Sequence, residues 1–195
     1  MNWEEHYESG HTPWDLGQAH PELERRLTEG WSEDVRSKRV FVPGCGTGHD
    51  ALAFARAESI VTAVDLVDAT GGRLGRDLTA RGGEFLQGDA LELDRPNGFD
   101  LVWDHTFFCA LEPERRSAWS RMVRRLVRRG GLVAGISFPE DRDEESGGPP
   151  WGMSVGELSK WLDGFDLVEA AEPLETVDRR RGREHWYLLE AGRVD

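Results

Sequence analysis

KRVFVPGCGTGHDALAFARAESIVTAVD, from Lys38 to Asp65, is the stretch whose reading decides the fold. Val40, Phe41 and Val42 form a short apolar run that stops at Pro43, the pattern of a buried strand. Gly44, Gly46 and Gly48 follow at alternate positions, and a helical pattern runs from Asp50 to Arg56. Ile60, Val61, Ala63 and Val64 then make a second apolar run that ends on Asp65. Strand, glycine turn, helix, strand and acid make one βαβ unit with a nucleotide-type site at its carboxyl edge.

Each part has its own physical reason. Glycines allow positive φ and let the backbone come close to a ligand. A helix that begins just after them points unpaired N–H groups at an anion. A carboxylate ending the next strand can accept hydrogen bonds from ribose hydroxyls. Asp65 lies 17 residues past Gly48, close to the offset of about 20 residues for a ribose acid. The spacing is GxGxG, however, with His49 and Asp50 where a dinucleotide fingerprint carries its third glycine. That glycine lets the helix pack close under a pyrophosphate. S-adenosylmethionine has a carboxylate and a ribose but no pyrophosphate, so the departure favours methyl transfer over hydride transfer. The alternative is a glycine turn that holds no ligand.

A chain of 195 residues with 38% hydrophobic and 31% charged residues suits one globular domain with a full core. The expected division is an N-terminal lid, 1–30, and a Rossmann-like core, 38–195, within that single domain. The formal net charge of −13 repels polyanions, which argues against nucleic acid or an anionic membrane as partner. No apolar run is as long as a membrane span. The start, Met1-Asn2-Trp3-Glu4-Glu5, lacks the basic and apolar regions of a secretory signal, so a cytoplasmic location is expected. Cys45 and Cys109 make neither a disulfide framework nor a metal-ligand spacing, so no metal is expected. A monomer or weak dimer acting on a small molecule is the expectation.

Elsewhere the chain alternates in the same way. WEEHYESGHTPWDL (Trp3–Leu16) is an aromatic flap in which a short helix or turn would set Trp3 and Tyr7 on one face. It is either a lid whose rings attract a cation or an arm that covers the core. Pro21 opens a short helix with Leu23 and Leu27 one turn apart. Asp68 to Ala80 reads as a weak helix, Glu84–Asp89 as a third strand and Phe99–Asp104 as a fourth. Pro113 opens a helix with a stripe of Trp119, Met122, Val123, Leu126 and Val127. Arg128 and Arg129 are expected to complement its C-terminus, and Gly130-Gly131 to stop it. Leu132–Phe138 is a fifth strand, Asp141–Pro150 a polar, flexible loop, and Ser154 caps a last helix. Leu167–Ala170 and His185–Leu189 are two final strands joined by the Arg179–Arg183 turn. The pattern is an α/β sheet, parallel except at its last strand. Asp65, Asp89 and Asp104 all end strands at the edge where such sheets bind ligands, although any one of them can instead be a loop cap.

PWDLGQAHPEL (Pro13–Leu23), VPGCGTGHDALAFA (Val42–Ala55), FDLVWDHTFFCALEPERRSAW (Phe99–Trp119) and GGPPWGMSV (Gly147–Val155) resemble the thiopurine S-methyltransferase superfamily. The likeness is to its thiol/halide methyltransferase branch, and it runs from Trp3 to about Phe165. The resemblance implies a seven-stranded, Rossmann-like methyltransferase sheet with helices on both faces and S-adenosylmethionine as donor. It maps the cofactor lid onto Trp3, Tyr7 and Trp14, the glycine turn onto Gly44 and Gly46, and the ribose acid onto Asp65. Adenine contacts fall on Asp89 and Ala90, and His105 joins the cofactor set. Tyr7 stands where the family carries tryptophan, and His105 where the thiol/halide branch often carries tyrosine.

Methyl transfer from a sulfonium needs nucleophile, methyl and sulfur held in line, with water excluded. A free thiol is only partly ionised at neutral pH, so a nearby base helps. His105 and Asp104 are the candidate catalytic residues, and His105 is otherwise a hydrogen-bonded strand-end histidine. Phe107, Phe108, Phe138 and Trp151 are candidates for an acceptor pocket, with core packing expected for at least one of Phe107 and Phe108. The arginines at 115, 116, 121, 124 and 125 read as a solvated helix face, and those at 179–183 as a charged turn. The expected activity is methylation of a thiol, with halides and thiopurines as further acceptors. The alternatives are methylation of oxygen or nitrogen in a metabolite, or binding of S-adenosylmethionine without catalysis.

Overall fold

In a computed structural model, which describes residues 1–143 and 147–192, the opening stretch folds as strand, turn, helix and strand. These are β1 (Arg39–Pro43), α4 (His49–Arg56) and β2 (Ile60–Asp65). They are preceded by α1 (Trp3–Ser9), α2 (Pro21–Arg26) and α3 (Ser32–Val35), and followed by α5 (Arg73–Thr79) and β3 (Glu84–Gln87). β2 pairs in parallel with both β1 and β3. Val40, Phe41, Val42, Val61, Ala63 and Val64 are all buried. Such unbroken burial means that both faces of β1 and β2 are covered, as parallel strands with crossover helices require.

The chain forms two compact units, Met1–Glu92 and Leu93–Asp195. The second contains β4 (Phe99–His105), α6 (Arg116–Leu126), β5 (Val127–Ser137), α7 (Val155–Trp161), β6 (Phe165–Ala171) and β7 (His185–Ala191). β4 and β5 are parallel, while β7 runs antiparallel to β5 on one side and to β6 on the other. The seven strands follow the order β3-β2-β1-β4-β5-β7-β6, a sheet parallel except for its last strand. α6 buries Trp119, Met122, Val123 and Leu126 completely. Ser154 and Glu157 close the expected cap of α7 as a reciprocal capping box.

Three local expectations are corrected. The helix expected from Asp68 begins only at Arg73, because the Asp68 carboxylate takes the N–H groups of Thr70 and Gly72 and holds a turn. The helix ending at Leu126 is not stopped by Gly130-Gly131: β5 starts at Val127, and its pairing jumps from Phe99↔Val127 to Leu101↔Leu132. Residues Arg128 to Gly131 bulge out of the ladder, and Arg128 turns back onto the Asp100 carboxylate instead of the helix end. Arg116 is not on a solvated face. It is 3% exposed, stacked on the Phe108 ring and bonded to the Gly152 carbonyl. Of the polar loop, Glu144, Glu145 and Ser146 lie outside the described residues.

Candidate functional site

In the first unit the glycine turn is a tight, left-handed structure. Gly44, Gly46 and Gly48 all have positive φ, a region costly for other residues. Gly46 has a further reason to lack a side chain, since a Cβ there would stand 3.0 Å from the Tyr7 hydroxyl. The Gly46 N–H donates to the Asp65 carboxylate at 2.8 Å, and Val67 N–H to its other oxygen at 3.0 Å. Burial raises the Asp65 carboxyl above its ordinary value, against the pull of these N–H groups. Burial, then the charge of Asp65, likewise pushes the Cys45 thiol up, which keeps it neutral and in its packing role. Asp89 accepts from Leu91 N–H in the turn after β3, and Ala90 is buried beside it.

The lid residues meet one another. Trp14 packs edge-on against Trp3 at 5.2 Å, His6 at 5.4 Å and Tyr7 at 5.9 Å between ring centroids. Burial, and then Asp65, push the Tyr7 phenol well above its usual range, so it stays a neutral hydroxyl. A contact invisible to sequence reading fastens this segment: the Thr47 hydroxyl of the glycine turn donates to Asp15 at 2.9 Å. The same carboxylate accepts from Gly17 N–H at 2.7 Å and lies 3.6 Å from His49 Nε2.

In the second unit the carboxyl end of β4 carries Asp104 and His105. Asp104 is 2% exposed, and its carboxylate accepts from the Phe107 and Phe108 N–H groups and from the Trp119 indole. Burial pushes its carboxyl up to about 6. Its lone pairs are committed to holding the turn after the strand and the largest side chain of α6. Phe108 is core, edge-on to Trp119 at 4.7 Å, while Phe107 stays part-exposed. Thr106, next to His105, has φ +66, an outlier for a β-branched residue and a place where strain is stored.

His105 has a partner that was read as part of a charged turn. Arg180 is 3% exposed, and its Nη1 lies 2.9 Å from His105 Nε2. Arginine has no acceptor, so the guanidinium donates and Nε2 accepts, which leaves the ring proton on Nδ1. The Arg180 guanidinium also stacks 4.5 Å from the centre of the Phe138 ring, and Arg183 lies at 5.3 Å from the same ring. Phe138, His105 and Arg180 therefore come together. Trp151 lies elsewhere: its backbone N–H donates to the Cys109 carbonyl at 2.7 Å, and its ring lies against Gly148. In the run Arg179-Arg180-Arg181 nothing in composition separates the buried residue from its exposed neighbours. The one available signal is Glu184, four residues on.

With both halves described, the relatives of the chain become informative. The family model for thiopurine S-methyltransferase matches residues 1–191. The chain belongs to the thiopurine S-methyltransferase family. It is 35% identical over 188 residues to the probable thiol methyltransferase 2 of Arabidopsis thaliana, covering 93% of this chain and 81% of that one. The thiocyanate methyltransferase 1 of Brassica oleracea is also 35% identical, over 190 residues and with the same coverage. Among solved structures, a Burkholderia thailandensis N1-methyltransferase with bound S-adenosylhomocysteine superposes with a TM-score of 0.76 at 20% identity. That likeness covers 98% of this chain and 86% of that one, and it speaks to fold. This thiopurine S-methyltransferase family member is an S-adenosylmethionine-dependent methyltransferase. The first unit suits that donor: a part-exposed acid, a turn with no room for a Cβ, and aromatic faces that favour a sulfonium. Among the described residues, no helix is long and apolar enough to cross a membrane.

Proposed function

We propose that the chain methylates small soft nucleophiles, thiols first and then iodide- or thiocyanate-like anions. The observation that carries this reading is Arg180, a buried cation stacked on Phe138 and bonded to His105 at the end of β4. Its plant relatives, named for thiol and thiocyanate, support the same class of acceptor.

When bound, S-adenosylmethionine supplies a methyl group on a positively charged sulfur that leaves as a neutral thioether. On the side of the chain, Asp65 is assigned to the ribose hydroxyls, and Gly44 and Gly46 to the methionine end. Asp89 and Ala90 are assigned to the adenine, and Trp3, Tyr7 and Trp14 to the closing lid. For the acceptor, Arg180, Phe138 and Phe107 are assigned to binding, and His105 orients the Arg180 guanidinium. Asp104 is a positioning residue, because its carboxylate is sealed from solvent and holds the Phe107 and Phe108 N–H groups and the Trp119 indole. The assembly works as one methyltransferase domain, as a monomer or weak dimer in the cytoplasm.

Transfer to oxygen or nitrogen is the second reading. A hydroxyl or ammonium acceptor must lose its proton to a base, and here Asp104 is buried and His105 Nε2 is committed to Arg180. The test is an acceptor panel with labelled donor: thiols, sulfide, iodide, thiocyanate, phenols and amines. Labelled products from thiols and iodide support the proposal. Transfer confined to phenols or amines transfers the assignment to the second reading, and donor binding without turnover on the whole panel makes the chain a cofactor-binding protein.

A further inference from the structure

Arg180 does not stand alone in the second unit. Glu184, four residues on, is fully buried, with its Oε2 3.8 Å from Arg180 Nη1. Its other oxygen takes the Thr176 hydroxyl. A guanidinium that is 3% exposed is costly unless an opposite charge compensates it. With Nε2 accepting from Arg180, His105 adds no charge of its own. Glu184 therefore offsets Arg180 directly, one minus against one plus at 3.8 Å, beside the further buried charges of Asp104 and Arg116.

This cancellation has a consequence for what can enter. A small, strongly hydrated anion such as chloride needs a large electrostatic return to offset the loss of its water, and a compensated cation gives little. A large, polarisable, weakly hydrated nucleophile sheds water cheaply and gains contact with the guanidinium and the Phe138 ring. We propose that Glu184 is a specificity-determining residue of the acceptor site, which by cancelling Arg180 admits soft nucleophiles and refuses hard anions. The inference rests on the acceptor reading above and adds to it the basis of discrimination.

The test compares wild type with Glu184→Gln at saturating donor and fixed ionic strength, with iodide as acceptor and chloride as inhibitor. Removing the carboxylate unmasks Arg180. The KM for iodide should fall on the order of tenfold, chloride should become an inhibitor over the same range, and the KM for the donor should hold. A merely structural role cannot give tighter anion binding, since damage to the site weakens it. Glu184→Asp, which keeps the charge but withdraws it by one methylene, is the second variant, and its iodide KM should fall by a smaller factor, about threefold. Unchanged iodide KM and chloride sensitivity in whichever variant folds overturns the proposal. A wild type that methylates neither iodide nor any thiol brings down the acceptor reading, and this inference with it. A wild type active on both, with variants that do not differ from it, brings down Glu184 alone.

Discussion

Asp65 and Asp104 make an instructive pair, because each ends a strand, β2 and β4, and each has its carboxyl raised by burial. They part in what surrounds the oxygens. Asp65 is part-exposed, and it accepts from backbone N–H groups of its own loop and of the glycine turn. Asp104 is sealed, 2% exposed, and one of its donors is the indole of Trp119 in the middle of α6. The first acid shapes a turn and keeps a face open to solvent. The second spends its charge on packing. A strand-end acid thus becomes a ligand site only where the fold leaves it a lone pair that solvent can reach.

The sharpest way to break this contrast is to remove the sealed acid. Asp104→Ala orphans two buried backbone N–H groups and an indole N–H, at about 1–3 kcal/mol each, offset in part by relief of a buried charge. We expect a loss of about 4 kcal/mol in unfolding free energy by denaturant titration. Donor affinity in the folded fraction should stay within about threefold of wild type. A stable Asp104→Ala that binds donor poorly would reverse the two roles. The counterpart is Asp65→Ala, which should weaken donor binding by about a hundredfold, or about 3 kcal/mol, through lost bonds to a charged acceptor. Isothermal titration reads this directly, and unchanged affinity would sink the ribose assignment.

pH separates the two acids without deleting either. The Asp104 carboxyl is pushed up to about 6, whereas in the unfolded chain it titrates near ~4. Between those values the folded chain holds a proton that the unfolded chain has lost. The contribution of this group to stability is therefore complete below about pH 4 and is lost as pH rises through about 6, a change of about 3 kcal/mol. Asp104→Asn should flatten the slope of unfolding free energy over that window. Asp65, raised in the same sense, keeps a slope of the same sign in that variant. A slope identical in wild type and Asp104→Asn would show that Asp104 does not titrate as the buried acid described.

Much of this was legible in the sequence. The βαβ unit, the strand order's closing reversal, the helix cap at Ser154 and the buried stripe of α6 all follow from periodicity and punctuation, which are local properties. What was not legible is which member of a chemically uniform run faces inward. Arg116 and Arg180 are buried within arginine-rich stretches whose other members face water, and a charge pattern carries no record of that choice. Asp104 was a candidate catalyst because a strand-end acid looks alike in either role. Its packing role depends on Trp119, 15 residues away, so only the tertiary structure reveals it. The early end of α6 fell to a bulge, where the ladder skips Arg128–Gly131 and glycines that resemble a helix stop are part of a strand.

A third acid extends the contrast to the lid. Asp15 ends no strand, yet its carboxylate takes the Thr47 hydroxyl from the middle of the glycine turn, at 2.9 Å, and Gly17 N–H at 2.7 Å. The residue before it, Trp14, is the ring against which Trp3, His6 and Tyr7 all pack. The aromatic flap is thus tied by a side-chain bond to the glycine turn. Thr47→Val keeps the shape of the side chain and deletes the hydroxyl, removing a bond of about 1 kcal/mol to a charged acceptor. Donor affinity should fall about fivefold, with little change in the unfolding midpoint, because the core strands and α4 are untouched. Quenching of tryptophan fluorescence by acrylamide should rise as Trp14 spends more time away from the turn. Loss of affinity with unaltered quenching would place the effect in the turn itself, and the Asp15 bond would then be a consequence of closure, with the aromatic packing as its cause.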